Sequence, residues 1–154
     1  MGAGGAARAI AVECALAGAG RIIIVNRTAK SGQELSGLIA GSTSAQSEYL
    51  PLTSKLAVPA GTDILINATS IGFAPNILEK PDLDYDTITD GLWVSDVVFN
   101  PVEPLFLKEA QAHGARTVSG IGMLVQQAAL NFTLWTGKEA PVQVMYDALK
   151  KEFE

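Results

Sequence analysis

The order of apolar and polar positions divides the chain into short buried strands and helices with one apolar side. Gly4 to Gly18 is rich in Ala, with Ile10, Val12 and Leu16, and holds only Arg8 and Glu13 as charges. That pattern predicts a mostly buried helix closed by Gly18 or Gly20. Arg21 to Asn26 contains Ile22-Ile23-Ile24-Val25, a β-branched run suited to a strand covered on both faces. Thr28 is placed to cap a second helix running to about Ala40. A small polar loop follows from Gly41 to Ser47, then a short strand near Glu48–Leu52. Asp63 to Asn67 reads as a further buried strand, and Ala74 to Asp90 as a loop with one helical turn. Leu92 to Phe99 is the next strand. Pro104 to His113 is an amphipathic helix with Leu105, Phe106 and Leu107 inward, stopped by Gly114. A short strand at Arg116–Val118, a long apolar helix from Met123 to Trp135 and a final amphipathic helix from Pro141 to Phe153 complete the chain.

Helices that alternate with strands imply a parallel sheet covered on both faces. With 154 residues and neither a repeat nor an interdomain linker, the chain reads as one domain over 1–154. Apolar residues make up 48% and charged residues 18%, which supplies a core and excludes a disordered chain. A net charge of −5 argues against nucleic acid or an anionic membrane as partner, so an anionic ligand needs a local basic site. Cys14 is the only cysteine, which excludes an internal disulfide and suits the cytoplasm. No apolar run reaches the length of a membrane span. No cluster suggests a metal.

The candidate chemistry begins at Gly2-Ala3-Gly4-Gly5-Ala6-Ala7. Gly2, Gly4 and Ala7 have the spacing of a dinucleotide-binding turn, and a helix pattern follows at once. Glycines there let backbone N–H groups approach a pyrophosphate at a helix N-terminus, where the dipole favours negative charge. Some twenty residues on, the second strand of such a fold usually ends in Asp or Glu for a ribose 2′-hydroxyl. Here that place holds Asn26-Arg27-Thr28, with Lys30 beyond. A guanidinium binds a 2′-phosphate that a carboxylate repels, so the pair of motifs points to NADP rather than NAD. The fold class is therefore α/β: a Rossmann-like three-layer α/β/α arrangement with a mostly parallel sheet. The strand expected before the glycine turn has no residues here, so the first strand is missing and exposed edges leave a homodimer open.

Further segments narrow the reading. They are Asn67-Ala68-Thr69-Ser70-Ile71-Gly72, Asp96-Val97-Val98-Phe99-Asn100-Pro101, Gly114-Ala115-Arg116-Thr117 and Gly120-Ile121-Gly122-Met123-Leu124-Val125-Gln126-Gln127-Ala128, the last running on to Leu134-Trp135-Thr136-Gly137. In this order the chain resembles the C-terminal half of shikimate dehydrogenases and their quinate relatives. The resemblance implies an NADP-dependent oxidoreductase that interconverts 3-dehydroshikimate and shikimate in aromatic amino-acid biosynthesis. It also implies a two-domain protein, in which an N-terminal domain absent here binds most of the shikimate-like substrate and supplies a catalytic Lys and Asp. By position, Gly2, Ala3, Gly4, Gly5 and Ala6 would hold the pyrophosphate, and Asn26, Arg27, Thr28 and Lys30 the adenosine phosphate. Thr69 and Ser70 would lie beside the cofactor, and Val97, Gly120 and Met123 would line the nicotinamide side. Phe99 and Gln127 would face the substrate. Gln127, among Val125, Ala128 and Ala129, reads as a polar group on a buried face that needs a partner.

Two departures stand out. Phe99 replaces a tyrosine usual in the family, whose hydroxyl helps to hold substrate, so another substrate such as quinate enters as an alternative. No residue corresponds to the Lys–Asp pair, and His113 before Gly114 sits at a helix end. Hydride transfer to a ketone needs a proton donor, so the chain alone is expected to be inactive. A non-catalytic nucleotide or metabolite sensor is a second alternative. A glutamyl-tRNA reductase-like enzyme is a third, against which Gly122-Met123-Leu124-Val125 with Gln127-Ala128 argues.

Overall fold

The computed structural model describes residues 1–153. In chain order it contains α1 (Gly5–Leu16), β1 (Arg21–Asn26), α2 (Ala29–Ser42), β2 (Gln46–Pro51), β3 (Leu56–Ala57), β4 (Ile64–Asn67) and β5 (Leu83–Asp84). A 3-10 turn at Tyr85–Thr87 precedes β6 (Trp93–Asp96), α3 (Leu105–Ala112), β7 (Arg116–Val118), α4 (Gly120–Thr136) and α5 (Val142–Phe153). Each described strand pairing is parallel: β1 with β2, β3 with β5, and β6 between β4 and β7. The chain is thus α/β, as the alternating pattern implies.

The continuous apolar run of β1 serves two cores, because successive strand side chains point to opposite faces. Ile23 and Val25 pack with Leu65, Val94, Phe106, Leu107 and Ala110. Ile22 and Ile24 pack on the other side with Ala7, Ala11, Ala15, Leu35 and Ile39. Ala7, Ala11 and Ala15 are the buried residues of α1. Their spacing of four puts only methyl groups toward the sheet, so the glycine-turn helix lies close to β1.

Between β1 and β4 no strand stands among the described residues. Met1 and Gly2 occupy that place instead. Gly2 N donates to Val25 O at 2.8 Å, Ala68 N donates to Met1 O at 2.9 Å, and Met1 N donates to Ile66 O at 2.6 Å. The two pieces of sheet therefore do not close on one another; the residues leading into α1 bridge them.

Several boundaries differ from the pattern reading. β2 starts at Gln46, because its register with β1 reaches back to Arg21. β6 ends at Asp96 rather than continuing to Phe99, because the Asp96 side chain accepts from Val98 N and turns the chain. α4 starts at Gly120, with the Ser119 hydroxyl accepting from Ile121 N. Thr28 occupies the cap position of α2 but makes no side-chain cap bond. α4 and α5 pack on each other, yet α5 buries no residue. No described helix is long and apolar enough to cross a membrane.

Candidate functional site

The glycine turn opens a cleft at the C-terminal ends of β1 and β4. Gly2 has φ +100, and a Cβ built there would stand 2.7 Å from Ala68 O, so both conformation and space require glycine. Gly4 caps α1 in extended backbone without any side-chain cap bond. Nothing lies within 4 Å of where a Cβ would be at Gly4 or Gly5. The first-turn N–H groups of α1 therefore face open space at the positive end of the helix dipole, which suits a phosphate.

The second wall is the turn after β1. Tyr49 OH donates to Asn26 O at 3.0 Å, and Asn26 Nδ2 donates to Thr28 O and to Ser31 Oγ, each at 3.0 Å. These bonds fix the turn on which Arg27 projects. Arg27, Thr28 and Lys30 are exposed, and among the described residues no carboxylate is paired with Arg27 or Lys30. The unpaired Arg27 shares a cleft with an uncapped helix N-terminus, the local basic site that an acidic chain needs for an anion, whereas Thr28 and Lys30 do not line that cleft.

Gly2, Ala3, Gly4, Asn26, Arg27, Thr69 and Ser70 line this cleft together. Gly5 and Ala6 follow on the exposed first turn of α1. Val97, Gly120 and Met123 are not part of that lining, and only Val97 and Gly120 are tied to it, through Asn67. Val97 N donates to Asn67 O at 3.0 Å. Gly120 sits against the same backbone, where a Cβ would stand 2.5 Å from Val98 O and 2.6 Å from Val97 O. Met123 is half-buried on the first turn of α4.

The most buried polar groups in this region carry no role among the expected site residues. Asn67 and Asp96 are register partners at the ends of β4 and β6, at 0% and 1% exposure. Asn67 Nδ2 donates to Asp96 Oδ1 at 3.0 Å. Burial pushes the Asp96 carboxyl up to about 6, against the opposing pull of bonds from Val98 N–H and Asn67. The available signal was a polar residue closing each of two apolar strands.

Two substrate-side residues stand differently from expectation. Phe99 is half-buried in an aromatic group, edge-on to Phe73 at 5.0 Å and tilted against Phe153 of α5 at 5.7 Å. Gln127 is exposed, as are Gln126 and Ala128, so the expected buried polar group does not exist. Val125 and Ala129 lie on the inner line of α4. Residue 127 is two positions from each, about 200° around the helix. His113 does not line the cleft: its Nδ1 lies 2.8 Å from Glu109 O and its Nε2 3.6 Å from Asp86. Among the described residues no His, Cys, Asp and Glu cluster suits a metal.

Comparison with known proteins gives consistent results. The family model of the shikimate 5′-dehydrogenase C-terminal domain matches residues 120–150. The NADP(+) shikimate dehydrogenase of Moorella thermoacetica is 42% identical over 153 residues, covering 98% of this chain and 52% of that protein. The ligand-free 5-ketofructose reductase of Gluconobacter sp. strain CHM43 is 46% identical with a TM-score of 0.91, over 99% of this chain and 55% of that one. A shikimate dehydrogenase solved with NADP+ is 39% identical with a TM-score of 0.88, over 99% and 53%. The chain spans about half the length of the curated relatives it matches.

Proposed function

The chain belongs to the shikimate dehydrogenase family, and on that premise we propose that it is the NADP-binding domain of a carbonyl-reducing oxidoreductase. The observation that carries this reading is the uncapped N-terminus of α1, open at Gly4 and Gly5, in one cleft with the unpaired Arg27. The backbone N–H groups of the first turn of α1 hold the pyrophosphate. Arg27 holds the 2′-phosphate, with Asn26, Thr28 and Lys30 around it. Thr69 and Ser70 flank the cofactor, and Val97, Gly120 and Met123 form the nicotinamide side. Bound there, NADPH would supply the hydride for reduction of a carbonyl carbon. The whole protein interconverts 3-dehydroshikimate and shikimate in the cytoplasm. The residues 1–154 act as one domain, and the proton donor comes from a further substrate-binding domain.

Among the described residues lining the cleft there is no Lys, His, Asp or Glu. With the proton donor assigned to the further domain, the chain alone turns over little or no substrate. A second reading, reduction of a different carbonyl compound, is favoured by Phe99. It contributes an aromatic surface with Phe73 and Phe153 where the family usually presents a hydroxyl.

Calorimetric titration of the chain with NADP+ and NAD+ tests the cofactor. NADP+ binds more tightly, and Arg27→Ala removes most of that preference, at a cost of about tenfold or more in NADP+ affinity. Equal affinities that Arg27→Ala leaves unchanged overturn the assignment.

A further inference from the structure

We propose that Asp96 and Asn67 form a positioning bridge that transmits the geometry of the nucleotide cleft to the backbone on which Gly120 and the start of α4 rest. The inference builds on the NADP reading above and concerns residues that reading leaves unused. Four hydrogen bonds make the bridge. On one side, Asn67 Oδ1 accepts from Thr69 N at 3.2 Å and from Thr69 Oγ1 at 2.6 Å, which fixes the turn carrying two cleft residues. On the other, Asp96 Oδ1 accepts from Val98 N at 2.9 Å, which fixes the segment between β6 and Phe99. The Asn67–Asp96 bond at 3.0 Å joins the two halves. Thr69 Oγ1 extends the network by accepting from Ile71 N at 3.2 Å.

Stability alone does not account for the pair. Asp96 Oδ2 is buried with no hydrogen-bond partner among the described residues. A buried unsatisfied oxygen is costly, whereas an apolar residue of similar volume carries no such cost. What an apolar residue cannot do is hold Val98 N–H and Asn67 at one point. Gly120 explains why that point matters. Its backbone approaches Val97 and Val98 so closely that a methyl group has no room, so any shift of this segment displaces the entrance to α4. The bridge therefore aligns the Thr69–Ser70 wall with the Val97–Gly120 shelf, which are the two surfaces assigned to the inner half of a dinucleotide. Asn67 reaches the edge of the cleft, whereas Asp96 lines no part of it and acts through Asn67 and Val98.

The test compares two ligands on the whole chain: NADP+, which spans both surfaces, and adenosine 2′,5′-bisphosphate, which reaches only the Arg27 end. Asp96→Ala is expected to weaken NADP+ about tenfold while leaving the bisphosphate within about twofold, and Asp96→Asn, which keeps the Oδ1 acceptor, to restore NADP+ binding. Amide hydrogen exchange without ligand gives a second readout, in which Thr69 and Val98 lose protection in Asp96→Ala and Ala7 and Ala11 do not. Asp96→Ser keeps a short acceptor for Val98 N–H but cannot reach Asn67. It gives the same ligand split at smaller size, should the Ala variant not fold. Equal weakening of both ligands, or NADP+ binding unchanged in the Ala or Ser variant, overturns the bridge while leaving the NADP reading in place. Failure of the unsubstituted chain to bind either ligand overturns that reading and the bridge with it.

Discussion

The sheet-centred body of this chain and its α4–α5 pair draw on the same apolar residue types and treat them in opposite ways. Phe106 on α3 is 1% exposed, whereas Trp135 near the end of α4 is 81% exposed. Leu35 and Ile39 on α2 are fully buried, while Leu130 and Leu134 on α4 are exposed. The difference is not one of helix character, since both regions have helices with clear inner and outer lines. It comes from what lies opposite. β1 offers an apolar side chain to each face in turn, so helices on both sides find a partner. α4 buries Gly120, Ile121, Val125 and Ala129, then leaves Leu130, Leu134 and Trp135 exposed, and α5 beside it buries nothing. Apolar sequence is thus necessary for burial, and the opposing surface decides whether it happens.

The largest expected effect tests that contrast directly. Phe106→Ala leaves a cavity in the larger core and costs about 3–5 kcal/mol, as read from urea denaturation. The larger core is where Phe106 meets Tyr85 and the strands. A loss under about 1 kcal/mol breaks the picture of a close-packed body.

The next effect lies at a polar point within the same body. An isolated Asp titrates near 3.8, and burial raises Asp96 to about 6. Below about pH 4 the acid is protonated both folded and unfolded and contributes nothing. Between about pH 4 and 6 the unfolded chain releases its proton first, so stability falls as pH rises. Above that window the loss is complete and amounts to about 3 kcal/mol. Asp96→Asn removes this slope. Denaturation series at pH 4 to 7 check it, and parallel curves for the two proteins contradict a raised Asp96.

How far these features were legible varies with their physical origin. The glycine turn and the Asn26–Arg27–Thr28 turn could be read because backbone approach and charge select particular residue types. β1 and α1 could be read because a six-residue apolar strand and an Ala-rich helix carry a clear period. β3 and β5 could not: each is two residues long, too short for any period, and they pair only because folding brings distant segments together. Gln127 failed for a related reason. Its apolar neighbours suggest a buried face, but the inner line of α4 runs through Ile121, Val125 and Ala129, and which line faces the body is set by Gly120 docking on Val97 and Val98. The Asn67–Asp96 pair is a contact across 29 residues: a polar residue closing each strand is visible locally, but nothing local announces that the two meet.

Gly120 is where the two regions meet, so substitution there sharpens the comparison. A methyl group at this position meets Val97 and Val98 backbone, which cannot rotate away as a side chain does. Gly120→Ala is expected to cost about 2–3 kcal/mol, at the upper end of overpacking effects. Near-UV circular dichroism should change too, since Trp135 and Phe99 respond to the seating of α4 and α5. Gly122, with nothing within 4 Å of its Cβ position, is the control, and Gly122→Ala should be neutral or slightly stabilising through helix propensity.

The smallest expected effect is the most informative about the exposed pair. If the face carrying Leu130, Leu134 and Trp135 meets only water, Trp135→Ser changes stability by less than about 0.5 kcal/mol, the ordinary result for a surface site. The same substitution is expected to lower self-association, because a cluster of exposed Leu and Trp exceeds what a soluble surface normally carries without contact. Sedimentation at several concentrations separates the two outcomes. A stability loss above about 2 kcal/mol that grows with protein concentration means that another copy covers this face. In that case the contrast between body and helix pair would describe the isolated chain alone, and α4 would follow the same rule as α2, with its opposing surface supplied by a second molecule.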